Sequence, residues 1–214
     1  MIFALLPVKA PQNAKQRLSG LLTQTQREAL ARAMYEEVLA TLCTVKGLDR
    51  VAVVTSDNAA AQRACDCGVE VFEEREQLGH SHSADAAAQR AMDLGATSVI
   101  LLPIDVPLVT RHEIESLIGA AAPGVIVVPS GDGTGTNALV RTPPNAIRSC
   151  FGPDSFRAHV DQAHARGIRV TVMRPPGLLF DIDTPEDVAE LLERAPASRV
   201  AELLRSQWTS ASQV

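Results

Sequence analysis

Residues 99–108 read VILLPIDVPL: four apolar side chains in a row, then an aspartate held between two prolines. A strand with one face in water alternates apolar and polar residues, whereas a strand covered on both faces is apolar without a break. Val99 to Leu102 is therefore expected as a central strand, and Asp105 as a carboxylate at its end. Similar short apolar runs stand at Ile2–Leu6, Val51–Val54 and Val125–Val128, and Val69–Phe72, interrupted by Glu70, is expected as a further strand.

Between these runs the periodicity changes from strand to helix. Leu30, Met34, Val38 and Leu42 recur at helical spacing within Thr25–Leu42, and shorter helices are expected at 58–66, 84–94 and 111–121. The alternation βαβαβαβαβ predicts an α/β, Rossmann-like fold: a mostly parallel sheet with right-handed crossovers and helices on both faces. Beyond residue 132 the pattern is less regular, with strands expected at Ala138–Arg141 and Val170–Met173 and helices at Asp154–Arg166, Pro185–Arg194 and 198–206. We expect one domain over residues 1–208 and a frayed tail over 209–214.

Composition supports this class. Hydrophobic residues make up 46% of the 214 residues and aromatics only 3%, so the core is built from Ala, Val, Leu and Ile, as in a parallel sheet under alanine-rich helices. A net charge of −5 leaves no basic excess to neutralise a nucleic-acid backbone. No stretch approaches the ~20 apolar residues of a membrane span, and MIFALLPVKA lacks the features of a signal peptide, so no membrane partner is expected. Cys43, Cys65, Cys67 and Cys150 form no CxxC pair and read as free thiols of a cytoplasmic protein.

In open α/β sheets ligands bind beyond the carboxyl ends of the strands, where strand order reverses. Four loops therefore matter. The first, PVKAPQNAKQRL (7–18), carries Lys9, Lys15 and Arg17 and reads either as a solvated basic stretch or as a clamp on phosphates. The second is PIDVPL with Asp105, either a turn residue or a site carboxylate. The third is DGTGTNAL (132–139), where glycines at 133 and 135 let another group come close and Thr134, Thr136 and Asn137 supply polar atoms; the other reading is a flexible turn.

The fourth is FDIDTPED (180–187). On an extended chain Asp181 and Asp183 point the same way while Ile182 anchors the opposite face. Thr184 reads as a helix N-cap with Pro185 at the first helical position. Asp105, Asp181 and Asp183 together form an oxygen set suited to Mg²⁺, which commonly shares its ligands with substrate phosphates. Basic residues beside such a set are the equipment of phosphoryl or nucleotidyl transfer. FGPDSF (151–156) reads as a turn and a helix start that can hold an anion. The five histidines make no ligand pattern, and His80 and His82 read as loop and cap residues.

The order PVK…AKQRL, PIDVPL, DGTGTNAL, FGPDSF with a later histidine and glycine, and DIDTPEDV resembles the guanylyltransferases of deazaflavin coenzyme F-420 biosynthesis, over nearly the whole chain. Those enzymes belong to the nucleotidyltransferases of glycosyltransferase-A-like fold. They join GTP to phosphoenolpyruvate, 2-phospho-L-lactate or 3-phospho-D-glycerate and release pyrophosphate. The resemblance implies that Asp105, Asp181 and Asp183 bind Mg²⁺, that Lys9, Lys15 and Arg17 handle the GTP phosphates, and that Pro7, Val8, Gly79 and Ser83 border the nucleotide. It also implies that Thr134, Gly135, Thr136, Asn137, Gly152 and Ser155 hold the acceptor, DGTGTNAL acting as a cradle of backbone N–H groups and hydroxyls. Many relatives carry Gly-Leu-Asn near the third helix, where this chain has Gly79-His80-Ser81-His82. Two alternatives are a molybdenum-cofactor or sugar-phosphate nucleotidyltransferase of the same fold, and a non-catalytic nucleotide-binding module. Val200, Leu203 and Leu204 are apolar enough to serve either the core or a homodimer.

Overall fold

The computed structural model describes residues 1–11, 14–74, 79–195 and 197–211. Asn13 of the first loop and residues 212–214 of the tail lie outside them. The chain runs β1 (Ile2–Val8), α1 (Gln24–Leu42), β2 (Arg50–Thr55), α2 (Asn58–Asp66), β3 (Glu70–Glu73), α3 (His80–Asp93), β4 (Ser98–Leu101) and α4 (Arg111–Ala120). It continues through β5 (Gly124–Pro129), β6 (Thr136–Thr142), α5 (Ser155–Ala165), β7 (Val170–Val172), α6 (Pro185–Arg194) and α7 (Arg199–Ala211). The expected α/β architecture is present: one seven-stranded sheet in the order β3-β2-β1-β4-β6-β5-β7.

The pleat divides each central strand between two cores. Ala4, Leu6, Val53 and Ile100 pack against Tyr35 and Val38 of α1, Ala64 of α2 and Leu117 of α4. Phe3, Leu5, Ala52, Val99 and Leu101 face the other way, onto Ala84, Ala87, Ala88 and Ala91 of α3 and Ala163 of α5. The small side chains of α3 let its axis lie close to the sheet, and each fully buried Leu or Val contributes about 1.5–3 kcal/mol. A third cluster joins Leu18, Leu30, Met34, Ile182, Val188, Leu191, Val200 and Leu204. Val200 and Leu204 are therefore core residues, with α7 lying on α1.

β6 is antiparallel to both its neighbours, and the remaining pairs are parallel. Its direction has a consequence for function. A strand inserted antiparallel begins where its parallel neighbour ends, so Thr136 and Asn137 at the start of β6 lie at the same sheet edge as the carboxyl end of β4.

Several boundaries differ from the sequence reading, three of them with a physical consequence. β1 continues through Pro7 and Val8, which pair with Val54 and Thr55 of β2. Proline is tolerated there because β4 pairs with β1 only as far as Leu5, so beyond it the edge needs no N–H donor. α3 begins at His80 instead of Ala84, after Gly79 at φ +100°, so His80 and His82 are helical and not loop residues. The last helix reaches Ala211, past residue 206 and into the stretch expected as tail.

Candidate active site

The chain winds outward from β1 through β2 to β3 and then returns to β4 on the other side of β1. This reversal places the loops after β1 and β4 next to each other, the position where open sheets bind ligands. The cleft there has two lobes. One, of about 680 Å³, is bordered by Pro7, Lys9, Lys15, Arg17, His80 and Asp105 among others. The other, of about 1030 Å³, is bordered by Ser130–Asp132, Thr134–Asn137, Gly152–Ser155, Phe180, Asp181, Asp183 and Thr184. Arg17, Pro103, Asp105, Thr136, Phe151 and Asp183 border both.

At the junction stands a four-membered ionic cluster. Lys15 Nζ donates to Asp105 Oδ2 at 2.9 Å and to Asp183 Oδ1 at 2.7 Å, with the Arg17 guanidinium 3.9 Å from the other oxygen of Asp183. The Lys15 side chain is only 9% exposed. Burial alone would lower the pKa of its ammonium, but the charges of Asp105 and Asp183 outweigh that and hold it above the ordinary lysine range. The backbone of Lys15 is left-handed, at φ 50°, a conformation that strains a non-glycine residue by about 1–3 kcal/mol. It leads into a single 3-10 turn at Gln16–Leu18, whose Leu18 is buried against Met34.

Asp105 and Asp183 are brought together by backbone as well as charge, since Ile182 N–H donates to the Asp105 carbonyl at 3.0 Å. Ile182 is buried in the third cluster, which holds the two flanking aspartates toward the cleft as their spacing predicts. Thr184 caps α6 with Asp187 completing a capping box, which fixes the end of this segment.

The three expected metal carboxylates nevertheless divide into a pair and a single. Asp181 does not reach Lys15; its Oδ1 accepts from Asn137 Nδ2 at 2.9 Å. Burial raises its pKa, with the charges of Asp105 and Asp183 adding to the rise against the Asn137 hydrogen bond. Among the described residues no three acidic, histidine or cysteine side chains are grouped to hold one metal ion. Asp105 and Asp183 alone aim oxygens at one cationic atom. Such a pair suits Mg²⁺, which takes one or two carboxylates and completes its shell with substrate phosphates and water.

The 132–139 stretch completes the β5–β6 hairpin turn and begins β6. Gly133 N–H donates to the Ser130 carbonyl, Gly135 N–H to Ser130 Oγ at 2.7 Å, and Thr134 N–H and Oγ–H to the Asp132 carboxylate at 3.0 and 2.9 Å. The amides of Gly133, Thr134 and Gly135, expected to cradle an anion, are thus engaged inside the turn by Ser130 and by an acid of the same loop. The Ser130 hydroxyl, which donates to Asp132 Oδ1, and the two Thr134 bonds hold the Asp132 carboxyl at a pKa of about 2. Glycine at 135 is a packing requirement: a Cβ there would lie 2.8 Å from Ser130 Oγ. Asn137 likewise gives both amide protons to the protein, to Leu178 O and Asp181 at 2.9 Å each, and so fastens β6 to the aspartate segment.

Thr136 and Ser155 do meet. Ser155 Oγ donates to Thr136 Oγ1 at 3.2 Å at the edge of the second lobe. The first amides of α5, from Ser155 and Phe156, go to the Gly152 and Thr134 carbonyls, so that helix start is less open to an anion than its sequence indicates. Gly79 caps α3 through its backbone, and Ser83 gives its hydroxyl to the Gly79 carbonyl and to Glu74.

Several site residues carry no motif of their own. Ser81 accepts from Phe151 N–H at 2.8 Å and ties the start of α3 to the FGPDSF turn. Buried Arg141 reaches Asp85 at 2.7 Å, and Asp85 also accepts from Ser149 N–H and Oγ–H. Arg194, stacked on Phe180 and paired with Glu190, borders the second lobe. The Ser81–Phe151 and Arg141–Asp85 contacts join residues 70 and 56 positions apart, which no local motif signals.

A family model of CofC-like guanylyl transferases matches residues 2–212. The chain is 35% identical to a phosphoenolpyruvate guanylyltransferase of Conexibacter woesei, over 92% of this chain and 90% of that one. It is 37% identical to a 3-phospho-D-glycerate guanylyltransferase of Colwellia psychrerythraea, over 87% and 89%. A 2-phospho-L-lactate guanylyltransferase of Methanothermobacter thermautotrophicus is 32% identical, over 94% and 89%. Among solved structures, one assigned as a nucleotide-diphospho-sugar transferase from Desulfovibrio desulfuricans superposes with a TM-score of 0.78 at 18% identity, covering 99% of this chain and 97% of that one, which shows a shared fold. Sheet order, cleft position and these relatives agree, and the chain belongs to the CofC-like family of guanylyl transferases.

Proposed function

We propose that this protein transfers the guanylyl group of GTP to a small phosphorylated acid, phosphoenolpyruvate, 2-phospho-L-lactate or 3-phospho-D-glycerate, with release of pyrophosphate. The observation that carries this reading is the cleft of two lobes meeting at Lys15, Asp105 and Asp183. The first lobe supplies Lys9, Lys15 and Arg17, cations suited to a triphosphate, with Pro7 of β1 at its border and Val8 in the core behind it. The second accommodates the acceptor beside Thr136, Gly152 and Ser155.

An oxygen of the acceptor phosphate attacks the α-phosphorus, and the bond from that phosphorus to the β-phosphate oxygen breaks. The attacking oxygen is ionised at neutral pH, so no side chain has to remove a proton. The protein's part is to align the two anions and reduce their repulsion.

The charge of the second lobe bears on the cofactor. Asp105, Asp132, Asp154, Asp181, Asp183, Asp187 and Glu190 border it against Arg17 and Arg194. An anionic acid entering such a lobe needs added positive charge. We assign that charge to Mg²⁺ held by Asp105 and Asp183, with Asp181 beside them; when bound, the ion neutralises phosphate charge in both substrates. We place the reaction in coenzyme F-420 biosynthesis and in the cytoplasm, where free thiols such as exposed Cys43, Cys65 and Cys67 persist.

Incubation with GTP, Mg²⁺ and each acid in turn, followed by mass detection of the adduct and a pyrophosphate assay, tests nucleotide, acceptor and reaction together. GTP binding without pyrophosphate release from any acceptor would refute the proposal in favour of a non-catalytic module.

A further inference from the structure

His159 lies on α5, outside the cleft, and is fully buried. Its Nε2 faces the backbone N–H of Cys150 at 2.8 Å, which can only donate, so Nε2 must accept. A neutral ring that accepts at Nε2 carries its proton on Nδ1. Nδ1 stands 3.1 Å from Thr136 Oγ1, so its proton faces that oxygen, with the Ser155 backbone carbonyl also interacting with the ring. A second proton, from Ser155 Oγ, reaches the same oxygen at 3.2 Å.

A threonine hydroxyl has two acceptor positions and one proton to give. With both acceptor positions of Thr136 occupied by protein donors, its own proton is left for a partner elsewhere. Thr136 borders both lobes of the cleft. We infer that His159 is a positioning residue: by fixing Thr136 Oγ1 as a double acceptor it commits the Thr136 hydroxyl to donate into the cleft, toward an anionic oxygen of the acceptor acid. Accepting two hydrogen bonds also polarises the hydroxyl and strengthens it as a donor. The burial that keeps the ring neutral, reinforced by the nearby Arg141 charge, preserves this arrangement. The inference rests on the acceptor assignment proposed above.

The test is steady-state kinetics of guanylyl transfer with GTP saturating and the acceptor varied, for wild type, Thr136→Val, His159→Asn and His159→Gln. An Asn amide places its N–H near the position of Nδ1 and keeps the donor to Thr136. A Gln amide reaches the position of Nε2 and keeps the Cys150 contact instead. We expect His159→Gln to raise the acceptor KM about tenfold or more, as Thr136→Val does, with the GTP KM unchanged and no further rise in the double variant. His159→Asn should stay near the wild-type KM.

A purely structural histidine would give similar losses in Asn and Gln, additive with Thr136→Val, and either result overturns the inference. Thermal melting monitors folding. Should His159→Gln not fold, His159→Asn decides alone: a KM near wild type supports the positioning role, and one raised as far as in Thr136→Val refutes it. If wild type forms no adduct with any acid, the proposed function falls and this role with it. If wild type turns over but the variants do not separate, only the role of His159 falls.

Discussion

Acidification should destabilise this protein through His159. Burial, reinforced by the Arg141 charge and opposed by Asp85, lowers the ring's pKa from 6.5 to about 4. Above pH 6.5 the ring is neutral in both folded and unfolded chains and contributes no pH dependence. Between 6.5 and 4 the unfolded chain binds a proton that the folded one excludes, so stability falls as pH falls; below 4 both bind it and the loss levels off. At ~1.4 kcal/mol per pKa unit the full loss is about 3 kcal/mol, of which about 2 kcal/mol is reached by pH 5. Urea unfolding followed by far-ultraviolet circular dichroism at pH 7, 6 and 5 measures this, with His159→Asn as the reference that lacks the titrating ring. Wild type should lose about 2 kcal/mol more than the variant between pH 7 and 5. Parallel pH profiles for the two proteins would refute the reasoning, as would an NMR titration placing the His159 pKa near 6.5.

Three further outcomes follow from the site. Asp105→Asn and Asp183→Asn should lower turnover by about a hundredfold or more, with a modest fall in thermal midpoint because each removes one of the two charges that hold the buried Lys15 ammonium; near-normal turnover would remove these residues from the chemistry. Asp85→Ala leaves the Arg141 guanidinium, 1% exposed and already without hydrogen-bond partners at Nε and Nη2, as an unpaired buried charge, and should cost about 3–5 kcal/mol in urea unfolding. A cost below about 1 kcal/mol would mean that the network is not needed for stability. Gly135→Ala puts a methyl group against Ser130 Oγ and should destabilise the β5–β6 turn and raise the acceptor KM, and Ser130→Gly in the same chain should restore much of both; failure of that rescue would rule out the clash as the cause.

The fold was legible because its signals are local. Unbroken apolar runs such as Val99–Leu102 mark strands covered on both faces, and Thr184-Pro185 marks a helix start, whatever the rest of the chain does. The motif loops were legible for the same reason, since in a parallel sheet the segments after the strands collect at one edge. The direction of β6 was not, because antiparallel pairing with β4 and β5 is decided by neighbours across the sheet.

The sequence by itself determined the order of the elements, the family, and which residue types border the cleft. Only the tertiary structure decided how those residues are used: that Lys15 bridges Asp105 and Asp183 while Asp181 turns to Asn137, that Ser130 and Asp132 occupy the amides expected for a ligand, and that His159 stands behind Thr136. The physical reason is that a hydrogen bond depends on the distance and angle between two groups, and residues apart in the chain, such as Asn137 and Asp181 at 44 positions or Lys15 and Asp105 at 90, acquire those only when the core fixes the elements that carry them.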